Sequence, residues 1–353
     1  MNNQYAKLSD PNDPFSQQLD QYGFPMDPPT LISSDITKGN ASTEFPITAV
    51  NEIDDERLPV GYVYVAVNVD PDKIYTKDDE TGCNCQGQCE KETCACIKMS
   101  QIELDENGHV INSPNLVDHF YDWAIFECSG ICKCAGKCKH RMTPEKFNLR
   151  VQLFKTEKAG FGCRALQYIQ QGTFICEFTG ELLSYKEAKV RPNDYPYYVT
   201  SMGSENEEQI GHYVDPTTYG NISRFFNHSC SENLAPIRFF STHRSPTRPH
   251  IGFVAIKDII LYEELTINYG KIWWRDKVER FPNMYCQCGA PNCMWPPPGT
   301  KKRTREEKLL EMNRKALLSY KASLERTEGR VIDGPKEFGE LWTSCFPPVI
   351  DKS

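Results

Sequence analysis

Residues 219–234 read YGNISRFFNHSCSENL. The polar centre, Asn227-His228-Ser229-Cys230, reads as a loop, and chemistry-bearing side chains are disproportionately found on loops held by a rigid scaffold. From Leu149 to Gly270 the chain around it is a succession of short strand patterns broken by glycine turns. LRVQLF (149–154), FGCRAL (161–166), TFICEF (173–178), IGFVAI (251–256) and LTINY (265–269) are the clearest. Upstream, GYVYVAVNV (61–69) alternates and is β-branched, so it reads as another strand. Helix signals are few here. Ser184 followed by Glu187 forms a capping box for a short helix through about Arg191. The fold class is therefore mainly β, built of short strands and small sheets.

Cysteines set the organisation outside this region. The 353-residue chain carries sixteen cysteines and seven histidines. The first block is Cys83-x-Cys85-x3-Cys89-x4-Cys94-x-Cys96, and the second is Cys128-x3-Cys132-x-Cys134-x3-Cys138. The N-terminus lacks a basic-then-apolar leader pattern, and no apolar run reaches the length of a membrane span. A reducing compartment is expected, where clustered thiols read as metal ligands rather than disulfides. Zinc takes four thiolates in a tetrahedron, so nine thiolates do not divide into separate sites. Three ions need twelve ligand positions. Six terminal and three bridging thiolates fill all of them. A third block, Cys286-x-Cys288-x4-Cys293, supplies three thiols and needs a fourth. Cys163, Cys176, Cys230 and Cys345 are left. The first two sit in strand patterns and read as small core residues, Cys345 is in the distal tail, and Cys230 has the best spacing.

Net charge is −8, and residues 1–60 alone contribute −7. This balance argues against whole-surface binding to nucleic acid and suits a basic partner. Residues 1–45 are rich in Pro, Asp, Ser and Asn without periodicity, and are expected to be disordered. Pro296-Pro297-Pro298 is expected to end the folded part. Residues 301–330 are charged and helical in pattern, with Leu310, Leu317 and Leu324 spaced by seven, which suits a helix packed on the domain. KKRTR (301–305) reads either as a nuclear import signal or as a solvated helix start.

The 219–234 stretch resembles the signature of SET-domain protein lysine methyltransferases. LYEELTINYG (261–270) is similar to the second SET signature, and AGFGCRALQYIQQGTFICEFTGEL (159–182) looks like the first. The nine-cysteine array resembles the pre-SET module and the Cys286 block the post-SET module. Together they resemble the histone H3 lysine 9 methyltransferases of the suppressor-of-variegation and euchromatic types, over residues 46–296. This resemblance implies a SET fold with a pseudoknot-like C-terminal part. It divides the chain into the acidic segment 1–45, a pre-SET three-zinc module (46–146), the SET domain (147–275), a post-SET zinc module (276–300) and the tail 301–353. It implies S-adenosylmethionine and zinc as cofactors, a histone H3 tail on chromatin as partner, and a nuclear location, with no membrane and no direct DNA binding. It makes Cys230 the fourth ligand beside Cys286, Cys288 and Cys293.

The same resemblance assigns the remaining site residues. Gly160 and Gly162, around Phe161, match the cofactor-binding turn. Asn227 and His228 match the pair that holds the cofactor, with Arg224 supporting their loop and reaching the cofactor. Tyr269 matches the catalytic tyrosine. Tyr197 aligns with a tyrosine beside the cofactor and channel, with Tyr198 as the alternative. Trp295 is placed to cover the cofactor. Three departures stand out. Ile267 replaces an aromatic residue at the position that tunes product, which implies room for two or more methyl groups. Val199 to Met202 lacks the acids that grip a basic tail, and Glu205, Glu207 and Glu208 stand nearby instead. Tyr262 replaces a usual glycine. A methyltransferase for a non-histone protein and a silent SET-fold chromatin scaffold are the competing readings. A zinc-cluster DNA-binding module ranks below both, because acidic residues intersperse the cysteine blocks.

Overall fold

The computed structural model describes residues 31–59, 61–71, 82–119, 123–134, 138–191, 212–241 and 249–300. It also describes Thr304, Arg305 and Glu307, and the backbone of 18–19, 25–26 and 197–199. The tail beyond 307, Cys345 and the acids at 205, 207 and 208 lie outside these residues.

Two four-stranded sheets carry the molecule. The first is ordered Ala124–Phe126, Leu234–Phe240, His250–Ala255, Phe174–Glu177. Its middle strands are nearly continuous apolar runs, buried along almost their whole length, which is what a strand covered on both faces requires. Gly252 is needed there, because a Cβ would stand 2.4 Å from the Phe174 ring. Ala124–Phe126 comes from between the two cysteine blocks and joins Leu234–Phe240 in parallel. The cysteine-rich region is thus stitched to the strand-rich half by backbone hydrogen bonds. Phe126 and Phe240 stack at 4.4 Å on that seam.

The second sheet is ordered Leu31–Ser33, Thr48–Val50, Val151–Lys155, Phe161–Ala165. Its first strand corrects the expectation of disorder through residue 45. Leu31 pairs with Val50, and Ile36 and Ile47 are buried in the main apolar core. Composition misled because Asp35 and Asn40 are turn residues: the Asp35 carboxylate accepts hydrogen bonds from the backbone of Thr37, Gly39 and Ile47. The strand expected over 61–69 is reduced to Val63–Tyr64, which pairs in parallel with Tyr219–Gly220, plus a bridge from Val69 to Glu181. The Ser184 capping box forms as expected and starts the helix Tyr185–Val190.

Two small features position the site. Asn227–His228 pairs in parallel with Thr266–Ile267, so the two C-terminal signatures lie side by side. The Gly270–Arg280 helix then leads away from Tyr269. Among the described residues no helix is long and apolar enough to cross a membrane.

Candidate metal centres and active site

All nine cysteines of the first two blocks converge. Their sulfurs fall into overlapping groups within 4.8 Å: Cys83 with Cys85, Cys89 and Cys94; Cys83 with Cys128, Cys132 and Cys134; Cys83 with Cys94, Cys96 and Cys128; and Cys89 with Cys128 and Cys138. Neighbouring sulfurs stand 3.6 Å (Cys89–Cys128), 3.7 Å (Cys96–Cys132) and 3.8 Å (Cys83–Cys89, Cys83–Cys134) apart. A disulfide needs about 2.05 Å. The edge of a zinc–thiolate tetrahedron with bonds of about 2.3 Å is about 3.8 Å. The donor set therefore fits zinc. Cys83, Cys89, Cys94 and Cys128 each belong to more than one group, and the three bridging thiolates would be drawn from these four. Backbone N–H groups of Cys83 and His140 donate to the sulfurs of Cys132 and Cys138, supporting negative charge on them.

A second set joins Cys230 to Cys286, Cys288 and Cys293, all within 4.8 Å. Burial pushes the Cys230 thiol up to about 12, while hydrogen bonding from Cys286 pulls Cys288 down to about 4. A divalent cation is what would let all four stand as thiolates. The side-chain amide of Asn292 donates to the Cys230 carbonyl, adding a hydrogen bond between the two chain segments.

His228 links this set to the neighbouring signature residues. Burial lowers its imidazole to about 4, so it is neutral. The Tyr269 backbone N–H donates to Nδ1 at 3.1 Å, which leaves the proton on Nε2, 3.3 Å from the Cys230 sulfur. The Tyr269 hydroxyl donates to the Phe226 carbonyl at 2.9 Å. Asn227 donates to the Phe161 carbonyl at 3.3 Å and to the Glu264 carboxylate at 2.9 Å. The glycine turn closes the arrangement. Gly160 has φ +68°, and a Cβ at Gly162 would stand 2.6 Å from Glu264 Oε1 and 3.1 Å from Asn227 Nδ2. Gly160, Phe161, Gly162, Asn227, His228 and Tyr269 are thus brought together.

Arg224 sits at the edge of this group. It donates to the Thr217 carbonyl at 3.0 Å and lies over the Tyr62 ring at 5.0 Å, bracing the loop from the Val63–Tyr64 side. Trp295 stacks on Trp274 at 5.7 Å, and Trp274 packs against His228 at 5.0 Å. The Tyr197 backbone pairs with Val214, but its side chain and that of Tyr198 lie outside the described ones.

The sequence reading missed Trp273, Trp274 and Glu264. Trp273 meets the Tyr269 ring at 4.7 Å. The adjacent tryptophans of KIWWRDKVER, directly after Tyr269, were the available signal. Tyr262 also gains an explanation. It has φ +64°, a left-handed conformation that glycine adopts at no steric cost. Arg164 over its ring at 5.1 Å offsets part of the strain.

The comparisons agree with this geometry. The pre-SET motif model matches residues 39–141 and the SET domain model residues 160–270. Histone-lysine N-methyltransferase EHMT1 of Homo sapiens is 34% identical over 267 residues, covering 74% of this chain and 20% of that protein. The chain thus spans about a fifth of that relative's length. Histone-lysine N-methyltransferase SETMAR of Rattus norvegicus is 34% identical over 245 residues, covering 64% of this chain and 74% of that protein. Among solved structures, KRYPTONITE in complex with mCHH DNA, H3(1-15) peptide and SAH has a TM-score of 0.61 and 26% identity, covering 76% of this chain and 54% of that one. With its signatures interlocked beside two cysteine clusters, and with a relative covered over nearly three quarters of its length, this chain belongs to the pre-SET and SET-domain family of histone-lysine N-methyltransferases.

Proposed function

We propose that the chain transfers methyl groups from S-adenosylmethionine to lysine 9 of histone H3, adding two or more per lysine, on chromatin in the nucleus. One observation carries the reading. Asn227-His228, Tyr269 and the Gly160–Gly162 turn meet at one place and are joined to a four-cysteine set through His228. The H3 peptide and SAH in the KRYPTONITE complex supply the partner and the spent donor by likeness.

Bound S-adenosylmethionine supplies an electrophilic methyl group on a sulfonium. The chain's own residues would do the rest. Gly160, Phe161 and Gly162 would let the backbone approach the donor, and Asn227 and His228, beside that turn, would help to hold it. Arg224 braces their loop. Trp295, on Trp274, covers the donor and excludes water. The proton of the Tyr269 hydroxyl is committed to Phe226, which leaves the phenolic oxygen as an acceptor for the amine and the polarised methyl. The family resemblance assigns Tyr197 to the same channel. The attacking amine must be neutral, which an apolar channel beside a cation favours. As the N–C bond forms the C–S bond breaks, and the product ammonium releases a proton before another round. Ile267, half-buried against the core beside His228, has no hydroxyl to hold a water in the amine pocket, which leaves room for added methyls. Zinc would be structural: three ions among the nine cysteines and one on Cys230, Cys286, Cys288 and Cys293.

The test is labelled methyl transfer onto an H3 peptide array, with Tyr269→Phe as control. Label on a peptide with lysine 9 replaced, equal to that on the parent peptide, would overturn the target. Mass spectra showing only monomethyl product at long times would overturn the product.

A further inference from the structure

The polyproline stretch was expected to end the folded part and residues 301–330 to pack on the domain as a helix; just beyond the prolines, Arg305 does contact it. Arg305 grips Glu263 with two parallel hydrogen bonds, Nε to Oε1 and Nη2 to Oε2, each 3.0 Å. It also donates to the Asp258 carbonyl. This fork-to-carboxylate geometry is among the stronger polar contacts a protein makes. Glu263 is 9% exposed in its side chain, against 32% for Arg305. The arginine is held in place locally. Thr304 and Glu307 form a reciprocal pair, with the Glu307 N–H donating to the Thr304 hydroxyl and the Thr304 N–H to the Glu307 carboxylate. That is a capping box, and it places Arg305 at the first position of a helix.

Glu263 leads inward. Its Oε1 accepts from Asn233 Nδ2 at 3.2 Å. Asn233 also donates to the Glu264 carbonyl at 2.8 Å and accepts from the Thr266 N–H at 2.8 Å. Thr266–Ile267 is the strand paired with Asn227–His228. Glu264, the next residue, holds Asn227 directly. We propose that Arg305 is a positioning residue. It fixes Glu263 and Asn233 so that Thr266, Glu264 and therefore Asn227 keep the geometry that receives the methyl donor. This rests on the proposed donor site but not on the identity of the peptide substrate.

Lys257 is another cation near Glu263, and it donates to the Ser231 carbonyl at 3.4 Å. It is the natural substitute if Arg305 is removed. The experiment is therefore calorimetric binding of S-adenosylmethionine to the zinc-loaded 353-residue chain as parent, R305A, R305K and R305A/K257A. Zinc content, the thermal midpoint and the KM for H3 peptide are measured in parallel. The expected result is about a tenfold weaker donor affinity in R305A or in the double variant, with zinc content and peptide KM unchanged. R305K should recover only part, because ammonium lacks the fork. Added guanidinium at tens of millimolar should restore R305A. Parent-like affinity in R305A and the double variant overturns the proposal. So does a loss that guanidinium leaves untouched and that follows zinc loss, which would mark a merely structural contact. A parent that binds the donor but ignores H3 peptides would sink the substrate reading and leave this test intact.

Discussion

The two cysteine regions would use the same ligand for opposite purposes. In the nine-cysteine region the sulfurs are themselves the interior. They pack with one another and with a few apolar groups, chiefly Ala124, Phe126 and Phe240. In the four-cysteine set the ligands lie far apart in sequence, Cys230 on a loop of the catalytic half and the others after the Gly270–Arg280 helix. The first would be a core made of metal. The second would be a latch that closes a long loop over His228, Trp274 and Trp295. A protein that cannot assemble an apolar interior can substitute metal–thiolate bonds. One that already has a sheet core can use a single ion to order its active site.

The largest effect should come from attacking the core. Cys128 belongs to three of the sulfur groups and Cys85 to one. Cys128→Ser is expected to release the whole cluster and unfold the cysteine-rich region, since a structural zinc site contributes on the order of 10 kcal/mol. Cys85→Ser, at a partly exposed edge, should leave most of the metal bound. Metal analysis with circular dichroism separates them, and equal metal loss in both would mean independent sites rather than a shared cage.

The latch should break differently. Cys230→Ser is expected to lose one zinc of four and nearly all methyl transfer. Its thermal midpoint should stay within a few degrees of the parent, because the two sheets do not depend on that ion. Unfolding of Cys230→Ser would erase the distinction between core and latch. Tyr269→Phe then isolates chemistry from latching. All zinc and the donor affinity should remain while the rate falls by about a hundredfold, the usual cost of one oriented polar group at a reacting centre. Rapid-quench rates with parallel donor titration check it.

The sequence exposed the parts governed by local rules. Strand segments such as Phe161–Ala165 and His250–Ala255, and the Ser184 capping box, follow from alternation, apolar runs and side-chain geometry within a few residues. Cysteine spacing also carried far, since all nine thiols of the two blocks converge and Cys230 joins the third. Tertiary pairing was not legible in the same way. Leu31–Ser33 is a strand only because Thr48–Val50 lies beside it, and Gly61–Val69 is mostly not one because its neighbours offer only short edges. Trp273 and Trp274 gained a role only through the helix that turns them onto Tyr269 and His228. Tyr262 shows the limit in another form, since a left-handed backbone is visible only in coordinates.

The smallest and most discriminating change is on the outer face of the latch. Trp295 is partly exposed and stacks on Trp274, which is 4% exposed and touches His228. If the latch acts only by holding Cys286 to Cys293 in place, Trp295→Ala should do little, because its backbone carbonyl still accepts from the Cys286 N–H. If the latch acts by lowering an aromatic cover onto the donor, the same change removes one stacked pair, worth about 1 kcal/mol. The donor KM should then rise about fivefold, with the maximal rate and zinc content unchanged. An unchanged KM would make the metal alone the latch. A fall in rate at saturating donor would mean that Trp274 and His228 had shifted, so the stack supports the site from behind rather than covering it.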